Sequence, residues 1–140
     1  MNRELQKAIK KAQSSRLEAA LALQMRAARL PAWETEYRFC DRRYRLDFYF
    51  PCARLGVELQ GGTWTAGPAG HTTGRGYQRD CEKLTACTMA GIRVLWFTTD
   101  DVTAGRALTV IQEALARFGS PEPSEPFGPV ERRCSAPEED

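Results

Sequence analysis

The chain predicts an α/β fold, a small mixed β-sheet flanked by helices. Three observations predict it. Residues 3–29 place apolar positions four apart, as at Leu17, Leu21 and Met25, with no Gly or Pro between them. Two runs between 43 and 60 alternate apolar and polar residues. From residue 77 onward the pattern becomes helix, apolar run, helix, punctuated by glycines. Strands and helices mixed in this way pack as layers around one sheet. A length of 140 residues suits one domain with a modest core.

The elements follow in order. "SRLE", Ser15 to Glu18, spells a capping box, so one helix is expected to start at Ser15 after a separate basic one. Pro31 closes the segment. "WETEYRF", Trp33 to Phe39, alternates in character and reads as a strand. In "RYRLDFYF", Tyr44, Leu46, Phe48 and Phe50 share one face, opposite Arg45, Asp47 and Tyr49. Pro51 stops that strand. In "LGVELQ", Leu55, Val57 and Leu59 oppose Gly56, Glu58 and Gln60. Residues 61–76 hold six of the eleven glycines and form a long loop, a length that is usually functional or disordered. "YQRDCEKLTACTMAG" is a helix ended by Gly91 in the left-handed conformation. "IRVLWFTT" is an apolar run expected to be a central, buried strand. The last helix aligns Leu108, Ile111, Leu115 and Phe118 and ends at Gly119.

Charge divides the chain into an expected domain, 1–118, and a tail, 119–140. The tail carries six acids against two bases and five of the eight prolines, a composition of extended or disordered segments. The chain has net charge +2, and the tail's −4 leaves +6 on residues 1–118. A basic body suits a polyanionic partner, although solvated surface charge reads the same way. No apolar run approaches the ~20 residues of a membrane span. The N-terminus lacks the apolar core of a secretory signal. Five cysteines with no CxxC pair read as reduced thiols, and a cytoplasmic location is expected. Cys40, Cys52, His71 and Cys81 are a conceivable zinc set, but their spacing matches no zinc pattern, and small buried hydrophobes are the expected reading.

The two strand runs flank a four-residue connection, Pro51–Arg54. Pairing them symmetrically sets Phe50 against Leu55, Tyr49 against Gly56, Phe48 against Val57 and Asp47 against Glu58. Leu46 then meets Leu59, and Arg45 meets Gln60. All inner apolar residues meet, so pattern and turn length select one register. The two carboxylates then face each other at ~5 Å, which is repulsive unless a cation intervenes. Arg45 is one candidate cation. A divalent metal such as Mg²⁺, bound by hard oxygen ligands, is the other.

"RLDFYF…RLGVELQGG" resembles the core of the PD-(D/E)XK nuclease superfamily. With the Gly-rich "GH" loop and "DCEKLTACTMAGIRVLWFT", residues 15–118 resemble small phage-type endonucleases related to archaeal-type Holliday junction resolvases and very-short-patch repair nucleases. The resemblance implies a restriction-endonuclease-like core and a Mg²⁺-dependent endodeoxyribonuclease, with Mn²⁺ able to substitute and no organic cofactor. Asp47, Glu58 and the Leu59 carbonyl would hold the metal. Glu18 would be a further acid ordering water, with Glu36 as its rival and a helix cap as its structural alternative. Gln60 stands where the motif lysine is expected and brings no positive charge. Lys83 could replace that lysine, or it could pair with Asp80 on its own helix. His71, the only histidine, could act on the phosphate or leaving group, or be a plain surface residue. Arg42, Arg43, Arg45, Arg75 and Arg79 are candidate phosphate contacts and Trp64 a candidate stacking residue, each with a solvated or packing alternative. The implied partner is DNA, branched or duplex, cut by a homodimer in the manner of a junction resolvase. A sequence- or mismatch-specific nicking or homing-type enzyme is the alternative within the class. An inactive nucleic-acid-binding module or a structural phage protein lies outside it.

Overall fold

The computed structural model describes residues 2–60 and 74–119, except for the side chains of 74 and 75. Helix α1 (Arg3–Ala27) leads to strands β1 (Glu34–Arg38) and β2 (Arg45–Phe50), a 3₁₀ turn (Pro51–Ala53) and strand β3 (Leu55–Gln60). Helix α2 (Gly74–Met89), strand β4 (Arg93–Thr98), and helices α3 (Thr99–Thr103) and α4 (Arg106–Phe118) complete the fold. The sheet order is β1-β2-β3-β4. The first two pairings are antiparallel and β3–β4 is parallel. The parallel pair requires a crossover, and α2 lies within it. This is the expected α/β architecture of a mixed sheet flanked by helices.

Each face of the sheet is covered. Leu17, Leu21 and Met25 of α1 pack with Phe48, Phe50, Val57, Leu59, Phe97 and the α4 residues Ala107 and Ile111. On the other face Cys87 and Ala90 pack with Phe39, Tyr44, Leu46, Tyr49 and Ile92. The C-terminus of α2 closes as expected. Gly91 adopts φ +73°, and the Ile92 N–H reaches the Cys87 carbonyl at 2.9 Å.

Four expectations need correction. First, α1 is one continuous helix capped by Asn2, whose side chain accepts from the Glu4 N–H. The spelling at Ser15 is therefore not a cap, because that residue's backbone already lies inside the helix. Second, β4 is an edge strand with Trp96 44% exposed. Helices on both faces make an apolar run look the same at an edge as at the centre. Third, Phe118 is exposed, and the Arg93 guanidinium lies 4.0 Å over its ring. Fourth, the apolar strand does not lead directly into the last helix, because α3 lies between them. Thr98 and Asp101 form a capping box, spelled "TTDD" in the sequence.

The β2–β3 register matches the expectation at Phe50–Leu55, Tyr49–Gly56 and Phe48–Val57, and the ladder ends there. Leu46 does not meet Leu59. It packs on the α2 face, whereas Phe48 and Leu59 pack on the α1 face. The alternation of β2 therefore slips at Asp47. Two features accompany the slip. Glu36, which the β1–β2 register would set opposite Asp47, has φ +46° and forms no ladder pair with it. Gly56 leaves room for Leu46, since a Cβ there would stand 2.8 Å from Leu46 Cδ1. A sheet buried on both faces offers the residues around Asp47 an apolar destination on either side, which allows the slip.

Candidate active site

The slip leaves Asp47 without a strand partner on either side, and its side chain takes over a backbone role. Asp47 Oδ2 accepts the Leu59 N–H at 2.8 Å, where β3 has run past its ladder with β2. The N–H and C=O of one strand residue point to the same edge, so the Leu59 carbonyl shares the Asp47 side. Glu58 alternates with Val57 and Leu59 and so points toward the α2 layer. There Lys83 Nζ lies 2.8 Å from Glu58 Oε1, both side chains being largely enclosed at 20% and 13% exposure. Lys83 thus pairs across the fold with Glu58, not with Asp80 one turn away.

The electrostatics follow from two acids sharing an enclosed place. Burial and then the neighbouring Asp47 push Glu58 up to about 7, although the hydrogen bond and charge of Lys83 pull the other way. Burial also raises Asp47, against the opposing Leu59 N–H and Lys83. Glu18 projects from α1 on the opposite layer. Burial, then the charge of Asp47, raise its carboxyl, and Ser14 donates to it at 3.4 Å. Glu36 adds negative charge to this group, but it is 65% exposed and holds Arg45 at 3.4 Å. Among the described residues, the cation opposing the central acids is Lys83. Arg45, the sequence candidate, is taken by Glu36.

The other expected residues divide clearly. Gln60 pairs with Thr98 of β4 and lies two residues beyond Glu58, on the same strand face. Arg43 and Arg79 are exposed, and Arg45 is half-exposed in its pair. Arg42 belongs to a brace that the sequence did not reveal. It donates to the Tyr44 hydroxyl at 3.2 Å, and that hydroxyl donates to Glu82 Oε2 at 3.2 Å. Glu82 adjoins Lys83, so the brace ties α2 to the segment entering β2. No local signal could reveal it, since Tyr44 and Glu82 are 38 residues apart. His71, Trp64 and the Arg75 side chain lie outside the described residues, as does the tail from residue 120.

Cys40 and Cys87 are buried thiols, Cys52 is half-buried and Cys81 exposed. Among the described residues no three His, Cys, Asp or Glu side chains gather as a metal cluster, so Cys40, Cys52 and Cys81 do not form one. A set of two carboxylates and one carbonyl does fit Mg²⁺, which binds through one or two carboxylates and keeps several waters. Burial and the charge of Asp47 both raise Glu58, and a bound cation would act in the opposite direction.

No protein-family model and no curated protein sequence matches the chain. Among solved structures, the chain is similar to the catalytic domain of the homing endonuclease I-Bth0305I. The TM-score is 0.57 and the identity 18%, over 74% of this chain and 97% of that one. At that identity the likeness is one of fold.

Proposed function

We propose that the protein is a metal-dependent DNA endonuclease whose reaction centre lies between Asp47, Glu58 and Lys83. The observation that carries the reading is the enclosed acid pair at the break in the sheet, with a lysine delivered from a different element. A purely structural role would not require two like charges there. Asp47, Glu58 and the Leu59 carbonyl would hold Mg²⁺ or Mn²⁺. When bound, the metal supplies Lewis-acid activation of water and neutralises charge on the scissile phosphate.

The chain's own groups divide the remaining work. Lys83 brings to Glu58 the positive charge that Gln60 cannot, so the motif lysine has in effect moved to α2. Gln60, on the Glu58 face, holds water by hydrogen bonding. Glu18 approaches from α1 and orders water on the opposite side of Asp47. The Arg42–Tyr44–Glu82 brace fixes the height of α2 and with it the position of Lys83. The products implied by the resemblance to the PD-(D/E)XK nucleases are a 5′-phosphate and a 3′-hydroxyl.

The fold is compatible with a homing-type endonuclease, and we take cutting at a site in duplex DNA ahead of resolution of branched DNA. One chain holds one such centre, so cutting both strands calls for a second copy or two successive nicks. The test is a cleavage panel of duplex, mismatched, flap and four-way-junction DNA with Mg²⁺ or Mn²⁺, with cut sites mapped. Wild type should cut, and Asp47→Asn and Glu58→Gln should not. If all four substrates stay intact, the enzyme reading fails and a binding module takes its place. If the two variants cut as wild type does, the centre lies elsewhere.

A further inference from the structure

Helix α1 is much longer than the part that packs. Its buried residues are Leu17, Leu21 and Met25, and every residue from Arg3 to Gln13 is exposed. About three turns therefore project past the sheet, beginning at Ser14 and Glu18 beside Asp47. At about 100° per residue, Arg3, Lys7, Lys10 and Lys11 fall within an arc of roughly 100°. That arc coincides with the arc of Ser14, Leu17, Glu18, Leu21 and Met25. The stripe facing the body in the packed half thus continues as a basic stripe in the projecting half. It leaves the body on the side of the carboxylate group. No described carboxylate pairs with any of the four cations. Leu5 and Ile9 point the other way.

We propose that this projecting half of α1 is a phosphate clamp on the DNA that flanks the cleaved bond. The inference rests on the nuclease reading and names a contact outside the residues assigned to it. A regular rise of 1.5 Å per residue places Lys11 about 10 Å and Arg3 about 22 Å along the helix from Glu18. With phosphates spaced 3.4 Å along each strand, this corresponds to roughly three to seven nucleotides from the reaction centre. Four cations along one stripe of a rigid rod suit a run of phosphates and carry no base readout.

The test compares the full chain with the triple variant Lys7→Gln/Lys10→Gln/Lys11→Gln and with Arg16→Gln, on the opposite side of the helix. Glutamine keeps the helix propensity of lysine, so circular dichroism should not change. The readout is the salt dependence of duplex binding without metal. Each phosphate contact contributes a slope of about −0.9, so the triple variant should be shallower by about 2.7, with Arg16→Gln unchanged. Footprint protection should be lost at phosphates roughly three to five nucleotides from the footprint centre, where the three lysines reach, and retained at the centre. An unchanged slope, or an equal loss in Arg16→Gln, overturns the clamp. So does arm-dependent binding to phosphatidylserine vesicles with none to DNA. A wild type that cuts DNA with an arm-independent slope removes the clamp and keeps the nuclease. One that binds through the arm and cuts nothing does the reverse.

Discussion

Removing the charge of Glu58 should abolish most of the pH dependence of stability in metal-free protein. The folded chain holds this carboxyl at about 7 against an ordinary value of 4.5. A carboxyl raised on folding binds protons more tightly in the native state. Its contribution is therefore full below pH 4.5 and is lost as pH rises through 7. At 1.36 kcal/mol per pH unit, the interval amounts to about 3 kcal/mol of stability lost between acid and alkaline conditions. The side chain is only 13% exposed, so solvent screening reduces this little. Asp47 and Glu18 are also raised, so their contributions have the same sign. Urea denaturation with chelator at pH 5, 6, 7 and 8 measures the effect. Wild type should lose about 2.5 kcal/mol across this range, which starts just above the unfolded value, and Glu58→Gln, which keeps an oxygen acceptor for Lys83, should lose little. A wild-type stability that is flat or rises from pH 5 to 8 would refute the reasoning. So would a Glu58→Gln profile parallel to wild type, since the titrating group would then be another.

Two further outcomes follow from the same geometry. Lys83→Met should lower the cleavage rate by about 10²–10³, the usual loss of one aimed electrostatic partner, and should move the stability profile further in the alkaline direction. Unchanged turnover would place the compensating cation elsewhere. Gly56→Ala should cost about 1–3 kcal/mol in denaturation, because its Cβ would press on the fully buried Leu46. A neutral result would show that Leu46 has another resting place and that the slip at Asp47 is loosely held.

Much of the fold can be read from local pattern. The four-residue spacing of Leu17, Leu21 and Met25, the alternation around Val57 and the glycine at 91 each depend on neighbours in sequence, and each behaves as those neighbours dictate. The register at Phe48–Val57 follows because turn length and hydrophobic pattern agree. Asp47 and Glu58 stood out for a related reason, as charges inside strand patterns. Local pattern misled where burial on two faces competes. Leu46 obeyed its alternation with Tyr44 and broke it with Phe48, and Trp96 sits at an edge despite an apolar run.

What the sequence determined by itself is the four strands, the helical character of α1, α2 and α4, the turn that pairs β2 with β3, and the presence of two acids near its far end. These arise from short-range rules of backbone geometry and side-chain period. Only the tertiary structure decided which cation answers those acids, which side Glu18 approaches from, and where the basic half of α1 leaves the body. Lys83 and Glu58 are 25 residues apart, and their contact depends on the packing of α2 against the sheet. Chain spacing carries no record of such a distance, because it is fixed by how layers stack and not by how neighbours turn.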